Sequence, residues 1–373
     1  MIDPRDVDIL IDQAVEVRRM IHSRPEVGMD TRETMNLIKS ISNKLGFKGT
    51  VIENGIMIDS GKDPEIALRA DMDALPIVEK TGLSFASSVE GVMHACGHDL
   101  HTAILQGVMN YVKSHDIPPV RFIFQPGEEI GQGAKMMING GAMDGIQEIF
   151  GLHAWPSLNV GEYSIVRGSA MAAVDEFRIR VLGTGGHGAY PHLAFDTILE
   201  ASKLVQSVLE IPARRVNPLS PSVVSIGYIR GGKTANVIPT EVEFGGTVRT
   251  HHKEDSAIIE KEIRSLYSEH VSIDYKHELP ALTNDSEFAG RIENEVSDLA
   301  MNVAATPTMG GEDFSLYCQR GKCAFAFLGT GKINGREVSK HSSIFDVNES
   351  AIKYGIILHL AAINAHYSKN HKS

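Results

Sequence analysis

His-Ala-Cys-Gly-His-Asp-Leu-His occupies residues 94–101 of this chain. The stretch holds three histidines, one cysteine and one aspartate, a density of soft and acidic donors that is typical of a metal site. Cys96 and His98 are two positions apart, so an extended segment points both side chains to the same side. Residues 100–113 then place apolar side chains at helical spacing. The sequence therefore predicts a ligand-bearing loop that opens a helix.

The alternative for this stretch is a packed loop with a buried thiol and hydrogen-bonded imidazoles. That interpretation suits any one of the residues alone. It suits the cluster less well, because several desolvated imidazoles need polar partners that a loop rarely supplies. The cluster favours a metal ion and says nothing about a reaction.

The composition is that of an ordinary globular protein. The chain has 373 residues, of which 42% are hydrophobic and 22% charged, enough for two or three domains. Its formal charge of −11 and its lack of a basic run argue against a nucleic-acid partner. No apolar run is long enough to span a membrane.

Two further features predict a cytoplasmic location. The first residues, Met-Ile-Asp-Pro-Arg-Asp, lack the basic and apolar regions of a signal peptide. The three cysteines, at 96, 318 and 323, cannot all pair, and their spacing is no disulfide framework. A reducing compartment is therefore expected.

The chain around the metal stretch predicts an α/β unit. Residues 56–59 and 66–70 flank a Gly-Lys-Asp-Pro turn and predict a hairpin. The other predicted elements of this part are helices at 6–21 and 31–45 and strands at 120–124 and 148–152.

Three of these strands end in candidate ligands. Since α/β sheets place their sites at the carboxyl ends of strands, this coincidence favours one common site. Any one of these groups alone could equally open a solvated loop. The groups are Asp71 and Asp73 after residues 66–70, Glu128 and Glu129 after 120–124, and His153 after 148–152.

Residues 174–283 have the pattern of a separate unit. Strand and helix patterns follow the order β-α-β-β-α-β, which is typical of a ferredoxin-like domain. The earlier kind of pattern resumes after about residue 285. We therefore predict one domain from residues 1–173 and 284–373, with residues 174–283 inserted into it.

The last part of the chain holds a Gly-Gly-Glu-Asp-Phe motif at 310–314, a strand at 324–328 and His341 in a loop. A final helix is predicted at 349–366, opened by a capping box of Asp346 and Glu349. Five histidines are expected at the surface without a role: His22, His115, His252, His277 and His371.

Five donors would suit a pair of metal ions if they met in space. The donors are Cys96, His98, Glu129, His153 and His341. They exceed what one tetrahedral ion needs, and a thiolate is a reasonable bridge between two ions. Such a pair lowers the pKa of a bound water towards ~7. Glu128, next to Glu129, would then be the general base of a hydrolase.

Six motifs together resemble one family, the two-metal aminoacylase/carboxypeptidase amidohydrolases. The resemblance runs along nearly the whole chain, and it is nearest to the branch with hippurate hydrolases, plant auxin-conjugate hydrolases, N-acetyldiaminopimelate deacetylases and archaeal carboxypeptidases. The motifs are residues 93–103, Gln-Pro-Gly-Glu-Glu at 125–129, Gly-Leu-His-Ala-Trp-Pro at 151–156, Gly-Gly-His-Gly-Ala-Tyr-Pro-His at 185–192, Asn-Val-Ile-Pro at 236–239 and the motif at 310–314.

The resemblance implies an α/β fold: a mixed-sheet, di-metal peptidase-like catalytic domain with an inserted ferredoxin-like lid and dimerisation domain. It implies the five donors above as ligands of two divalent ions, with Zn or Mn favoured and Ni or Co possible, and Glu128 as general acid/base. It also implies that His187 binds the oxyanion and that Asn236 and Arg249 bind the substrate carboxylate. Asp71 and Asp73 would orient the ligands. A homodimer or homotetramer is expected.

Several functions stay open at this point. The favoured one is hydrolysis of N-acyl-L-amino acids; a carboxypeptidase acting on short or blocked peptides and an N-acetyldiaminopimelate deacetylase are alternatives. A catalytically silent metal- or peptide-binding protein is a different class, disfavoured because Glu128 and all five donors are present. A hydrolase with Cys96 as nucleophile and His98 as base is also disfavoured, because neighbours in one extended loop are poorly placed for that proton transfer.

Overall fold

The computed structural model describes residues 2–304, 306–333 and 335–368. These residues form two compact units. The first comprises described residues within 1–168, 283–306 and 313–373, and the second comprises residues 169–282 and 307–312. Residues 307–312 therefore lie in the second unit, although the sequence analysis assigned them to the first. His371 lies outside the described residues.

An eight-stranded mixed sheet forms the centre of the first unit, in the order β1-β2-β4-β3-β5-β16-β6-β15. β3 runs parallel to β4 and β5, and β5 runs parallel to β16. The strands are β1 (Gly49–Ile52), β2 (Gly55–Asp59), β3 (Ile66–Asp71), β4 (Val120–Gln125), β5 (Glu148–Trp155), β6 (Glu162–Ser164), β15 (Met301–Asn302) and β16 (Lys322–Gly329).

The predicted hairpin of residues 56–59 and 66–70 is wrong. β4 lies between these two strands and pairs antiparallel with β2 and parallel with β3. All residues of β3 and β4 are buried. A strand that is buried on both faces is stabilised by partner strands on both sides. β4 therefore lies between β2 and β3, whereas the predicted hairpin would have paired β2 directly with β3.

Helices cover the faces of this sheet. Gly46 ends the third helix with φ 81°, a left-handed conformation that glycine adopts readily. The predicted helix at 6–21 is instead two helices. The helices of this unit are α1 (Pro4–Asp8), α2 (Ile11–His22), α3 (Arg32–Leu45), α4 (His98–Ser114), α5 (Gly133–Asn139), α8 (Ser286–Val296) and α9 (Ala351–Ser368).

α4 and α9 approach each other closely through glycines. A Cβ atom on Gly107 of α4 would lie 2.7 Å from Cδ1 of Ile356. A Cβ atom on Gly355 of α9 would lie 2.4 Å from Cδ1 of Ile104. Each glycine thus makes room for an isoleucine of the other helix, and both helices are almost wholly buried.

The predicted capping box at the start of α9 is wrong. The carboxylates of Asp346 and Glu349 accept hydrogen bonds from Arg18, at 3.0 and 2.9 Å, and α9 begins at Ala351. A buried guanidinium competes for both carboxylates more strongly than backbone N–H groups do, because it is charged. The expectation that His22 lies at the surface is also wrong. His22 is 1% exposed, and its Nδ1 lies 2.9 Å from Oδ2 of Asp99.

The second unit contains a four-stranded antiparallel sheet in the order β10-β12-β8-β13. Its sequence order β8-α6-β10-β12-α7-β13 is the predicted βαββαβ pattern. The elements are β7 (Gly168–Met171), by which the chain enters, β8 (Ala173–Leu182), β9 (Gly186–His187), α6 (Thr197–Arg215), β10 (Ser222–Gly231), β11 (Val237–Ile238), β12 (Glu241–Thr250), α7 (Lys253–Arg264), β13 (Val271–Leu279) and β14 (Leu282–Asn284), by which it leaves.

Each unit has its own apolar core. In the second unit, Phe177 and Phe244 of the sheet pack with Leu204 of α6 and Ile259 of α7. In the first unit, the core lies between the mixed sheet and its helices. No helix among the described residues is both long and apolar enough to cross a membrane.

The cysteine spacing is predicted to be no disulfide framework, and this prediction is wrong for two of the three cysteines. Cys318 and Cys323 form a disulfide with a Cα–Cα distance of 5.1 Å. The 3₁₀ helix Asp313–Gln319 ends in a turn that brings Cys318 beside Cys323 in β16. Cys96 is free and buried.

Candidate metal centre

The carboxyl ends of three parallel strands meet at one edge of the first unit's sheet. Asp71 is the last residue of β3, and the turn with Glu128 and Glu129 follows β4. His153 lies within β5, two residues before its end, rather than after the strand as predicted. Because β3, β4 and β5 run in the same direction, these side chains share one edge.

The Cys96–His98 segment lies against this edge because of Gly97. Gly97 has φ 99°, and a Cβ atom there would lie 2.9 Å from Cβ of Ala154 in β5. A side chain at this position would therefore separate the segment from the strand. His98 is the first residue of α4, and Cys96 Sγ lies 3.3 Å from Nε2 of His153.

His341 joins the same site from the loop before α9. Its backbone has φ 63°, and its N–H donates to the carbonyl of Ala95 at 2.7 Å. Its Nε2 lies 3.3 Å from Oε1 of Glu129. The loop is thus attached directly to the segment that carries Cys96.

The structure brings the five predicted ligands together in two overlapping groups. Each group has its ligand atoms within 4.8 Å of one another. Cys96 belongs to both groups, one with His98 and His153 and one with Glu129 and His341. This arrangement suits two cations with Cys96 between them.

Two of these side chains have buried polar atoms that lack a well-formed hydrogen bond among the described residues. Among the described residues, neither ring nitrogen of His98 makes a hydrogen bond, and neither does Oε1 of Glu129. All three atoms are buried. Buried polar atoms without partners are uncommon in native proteins. Nδ1 of His98 faces Asp73 at 3.4 Å, whereas divalent cations would satisfy Nε2 of His98 and Oε1 of Glu129. The sulfur, nitrogen and carboxylate donors fit Zn and also Mn, Co or Ni.

His153 is held in the tautomer that a metal ligand needs. Its Nδ1–H donates to the carbonyl oxygen of Ala154 at 2.9 Å, which leaves the Nε2 lone pair facing Cys96. Burial, and then the charge of Lys340, lower the pKa of His153 well below its usual range. The ring is therefore neutral.

His101 supports this arrangement, and the sequence analysis gave it no role. Its Nδ1 lies 2.6 Å from Oδ1 of Asp71, and its Nε2 accepts the N–H of Ala154 at 2.8 Å. His101 thus connects Asp71 to the strand residue that orients His153. Its place three residues after His98, on one face of a helix, was the available signal.

Asp73 and Asp71 contact the ligand-bearing segments. The carboxylate of Asp73 accepts the N–H groups of Glu128 and Glu129 at 3.0 and 3.1 Å, and its Oδ1 lies 3.4 Å from Nδ1 of His98. The second oxygen of Asp71 accepts from Arg69 at 2.7 Å. These contacts are those of residues that orient ligands.

A buried network extends from Arg69, which the sequence analysis also missed. Arg69 donates to Gln125 at 3.0 Å and to Asp313 at 2.7 Å. Asp313 accepts the N–H of Ala134 at 2.9 Å. Burial raises the pKa of Asp313 to about 6, although Arg69 opposes that rise. The network joins β3, the end of β4 and the 310–314 motif.

The thiol of Cys96 is poorly suited to act as a nucleophile by itself. Burial raises its pKa to about 11. Reactive cysteines have lowered pKa values, because the thiolate is the attacking species. A buried thiolate at this place needs neighbouring cations, as a metal ligand would have.

The three other predicted residues lie in the second unit. His187 of β9 pairs with Val237 of β11, and the N–H of Gly188 donates to the carbonyl of Asn236 at 2.8 Å. His187 and Asn236 are therefore neighbours, and both are exposed. Arg249 is half-buried in β12, and burial lowers its pKa. A Cβ atom on Gly311 would lie 3.1 Å from Nη1 of Arg249, so this glycine leaves room for the guanidinium.

Comparison with protein families agrees with this site. Residues 67–365 match the family described as peptidase family M20/M25/M40. A solved structure of a dinuclear metal-binding peptidase of the M20 family from Bacillus subtilis superposes with a TM-score of 0.85 at 31% identity, covering 97% of this chain and 99% of that chain.

Curated relatives cover nearly the whole chain. The N-acetyl-L-cysteine deacetylase of Bacillus subtilis is 37% identical over an alignment of 366 positions, which covers 94% of this chain and 87% of the relative. Thermostable carboxypeptidase 1 of Saccharolobus solfataricus is 36% identical over an alignment of 377 positions, which covers 95% of each protein. The family predicted from the six motifs is thereby confirmed.

Proposed function

The chain belongs to peptidase family M20/M25/M40, and from this premise we propose that it hydrolyses the amide bond of N-acyl-L-amino acids with two divalent metal ions. Metal-dependent amide hydrolysis follows from family membership. The choice of N-acyl-L-amino acids is supported by the similarity to the N-acetyl-L-cysteine deacetylase.

The observation that carries the proposal is the shared position of Cys96 between the two ligand groups. Both groups include buried atoms that lack other partners. We assign Cys96, His98, Glu129, His153 and His341 as the ligands, and we favour Zn or Mn as the metal because cysteine, histidine and carboxylate are all present.

Glu128 is the proposed general acid/base. Its Oε2 lies 3.9 Å from Nε2 of His98, and its backbone is held by Asp73. When bound, the ions supply an acidified water and a polarised carbonyl group. Glu128 accepts a proton from that water and later donates it to the nitrogen of the leaving amino acid.

We propose catalytic and substrate-binding roles for three residues of the second unit. His187 would donate a hydrogen bond to the oxyanion of the tetrahedral intermediate. Asn236 and Arg249 would bind the α-carboxylate, to which a guanidinium can donate two parallel hydrogen bonds. We propose that residues 174–283 act as lid and dimerisation domain, and we expect a homodimer or homotetramer in the cytoplasm.

A substrate panel tests the proposal. The metal-loaded enzyme is given N-acetyl- and N-benzoyl-amino acids, Z-blocked amino acids, N-acetyldiaminopimelate and dipeptides, with and without a chelator. We expect chelator-sensitive release of a free amino acid from the N-acyl substrates. Faster release from dipeptides and Z-blocked substrates would favour the carboxypeptidase, which the similarity to the Saccharolobus enzyme supports. Tight metal binding without any release would indicate a silent binding protein.

His187→Ala tests the role of the second unit. The variant should lower kcat by roughly 10²–10³-fold, the usual loss for one oxyanion donor, while both ions still bind. His192→Ala, five residues away in the same exposed segment, is the matched control. An unchanged kcat in the His187 variant would place this histidine outside the chemistry.

A further inference from the structure

Arg18 of α2 is a buried arginine with three carboxylate partners. Its side chain is 2% exposed. Nε donates to Asp99 at 3.0 Å, Nη1 to Glu349 at 2.9 Å and Nη2 to Asp346 at 3.0 Å. Because each nitrogen has a different partner, the planar guanidinium fixes the three carboxylates relative to one another.

These partners belong to the two segments that carry metal-ligand candidates. Asp99 directly follows His98 in α4. Asp346 and Glu349 lie at the end of the loop that carries His341. Arg18 therefore joins chain segments that are far apart in sequence and that meet at the candidate metal centre.

The loop with His341 has no regular secondary structure among its described residues. Between the end of β16 and the start of α9, no described residue belongs to a helix or to a strand of the sheets. The loop is attached by the N–H of His341 to Ala95 and by the carbonyl of Ser343 to the N–H of Lys80, each at 2.7 Å. Phe345 and Val347 are buried in the core of the first unit, and Arg19 also donates to Glu349. Arg18 holds the far end of the same loop.

Stability alone does not account for such an arrangement. Burying a charged network costs about as much as its attractions return, and apolar residues of similar volume often stabilise a protein at least as well. A network of this kind can instead fix one geometry. Here that geometry is the distance of the His341 loop from His98 and Cys96.

We propose that Arg18 is a positioning residue for the metal centre: it holds the His341 loop at the distance from α4 at which His341 can share an ion with Cys96 and Glu129. This inference rests on the ligand assignment proposed above. It predicts that loss of Arg18 selectively lowers the affinity for one of the two ions, namely the ion that His341 binds.

A double-mutant cycle of metal affinity tests this role. Metal-free wild type, Arg18→Met, His341→Ala and the double variant are titrated with Zn²⁺ by calorimetry. We expect Arg18→Met to weaken one of the two ions by roughly 10-fold, the lower end of the loss for outer partners of metal ligands. The double variant should bind as His341→Ala does, because Arg18 acts through His341.

Matched variants separate this effect from a general loss of stability. Asp346→Asn removes the charge of one Arg18 partner at a partly exposed residue. It is the second test if Arg18→Met folds poorly, and it should weaken binding of the same ion. Arg121→Met is the control, because Arg121 is a 9% exposed arginine that binds Asp59 in the same unit and contacts none of the predicted ligands. It should leave both affinities unchanged.

The outcomes distinguish the two proposals. Unchanged binding in His341→Ala would overturn the ligand assignment itself. A different outcome is that His341→Ala weakens binding of one ion as expected. Equal weakening of both affinities by Arg18→Met, or additive effects in the double variant, would then overturn only the role of Arg18.

Discussion

Glu128 and Glu129 are neighbours in the chain but have different surroundings. Asp73 accepts both backbone N–H groups, whereas only Glu129 has a carboxylate oxygen 3.3 Å from His341. We therefore expect Glu128→Gln to keep both ions and to lower kcat by roughly 10²–10⁴-fold, the usual contribution of a general base. Glu129→Gln should instead weaken metal binding.

Steady-state rates and metal content of the two variants check this prediction. The pair is well matched, because the substitutions are identical and the positions adjacent. Wild-type turnover in Glu128→Gln would remove this residue from the mechanism, and loss of metal from it would assign it as a ligand instead.

His22 predicts a pH dependence of stability. Burial alone would lower its pKa, but the Asp99 carboxylate at 2.9 Å raises the pKa above its usual 6.5. A histidine whose pKa is raised in the folded state contributes its full stabilisation of the fold below the unfolded pKa of about 6.5. That stabilisation is lost as pH rises through the folded pKa.

Urea unfolding of the metal-free protein measures this effect. The difference in unfolding free energy between wild type and His22→Gln should be larger at about pH 5.5 than at about pH 8.5. His252→Gln, at an exposed histidine, should show no such trend. A difference that grows with pH would mean that His22 is neutral when folded.

The sequence reveals the candidate ligands better than the residues that support them. Cys96, His98 and His153 are visible because histidine and cysteine at strand ends or in dense motifs are unusual. Arg18 and Arg69 are not, since arginine is ordinarily a surface residue and their partners Asp346 and Asp313 lie 328 and 244 residues away. Only the fold brings those charges together.

At the scale of elements, the predictable part was local periodicity. The helix at 31–45 and the β-α-β-β-α-β order of residues 174–283 were predicted correctly, because local periodicity identifies each element. The arrangement of β2 and β3 was not predicted correctly. A short connection shows that two strands are close in sequence, but it does not show that β4 lies between them in the sheet.

Replacing glycine by alanine should have opposite effects on stability at two helical positions, one at the contact of α4 with α9 and the other in α8. Gly355→Ala should lower the unfolding free energy of the first unit by about 1–3 kcal/mol, because its Cβ would overlap Ile104. Gly290→Ala in α8 meets only the guanidinium of Arg167, so it should raise that free energy by about 0.5–1 kcal/mol through helix propensity.

Chemical denaturation of the two variants measures this contrast. Both replace a helical glycine by alanine, so the change in unfolded-chain entropy is the same. An increase in stability for Gly355→Ala would show that Ile104 moves aside at little cost.

At the scale of the whole molecule, the two units should respond differently to metal. All five predicted ligands lie in the first unit, and each unit has its own core. An ion at a hundred times its Kd stabilises the state that binds it by about 2.7 kcal/mol. Zn²⁺ should therefore raise the melting temperature of the first unit alone.

Scanning calorimetry with added Zn²⁺ or with a chelator resolves the two transitions. The second unit need not be isolated for this experiment. Hydrogen exchange of β8–β13 in the full chain identifies which transition belongs to the second unit. A shift of both transitions by equal amounts would show that the units unfold as one, and no shift in either would argue against the metal centre.

The order of the strands has a consequence for synthesis of the chain on the ribosome. β16 pairs with β5 on one side and β6 on the other, although β5 and β6 are made more than 150 residues earlier. Until β16 and α9 emerge, the nascent chain presents the open edge of a buried strand, while residues 169–282 can already fold. Exposed edges of this kind attract other chains. We infer that the emergence of β16 and α9 determines whether a nascent chain folds or aggregates.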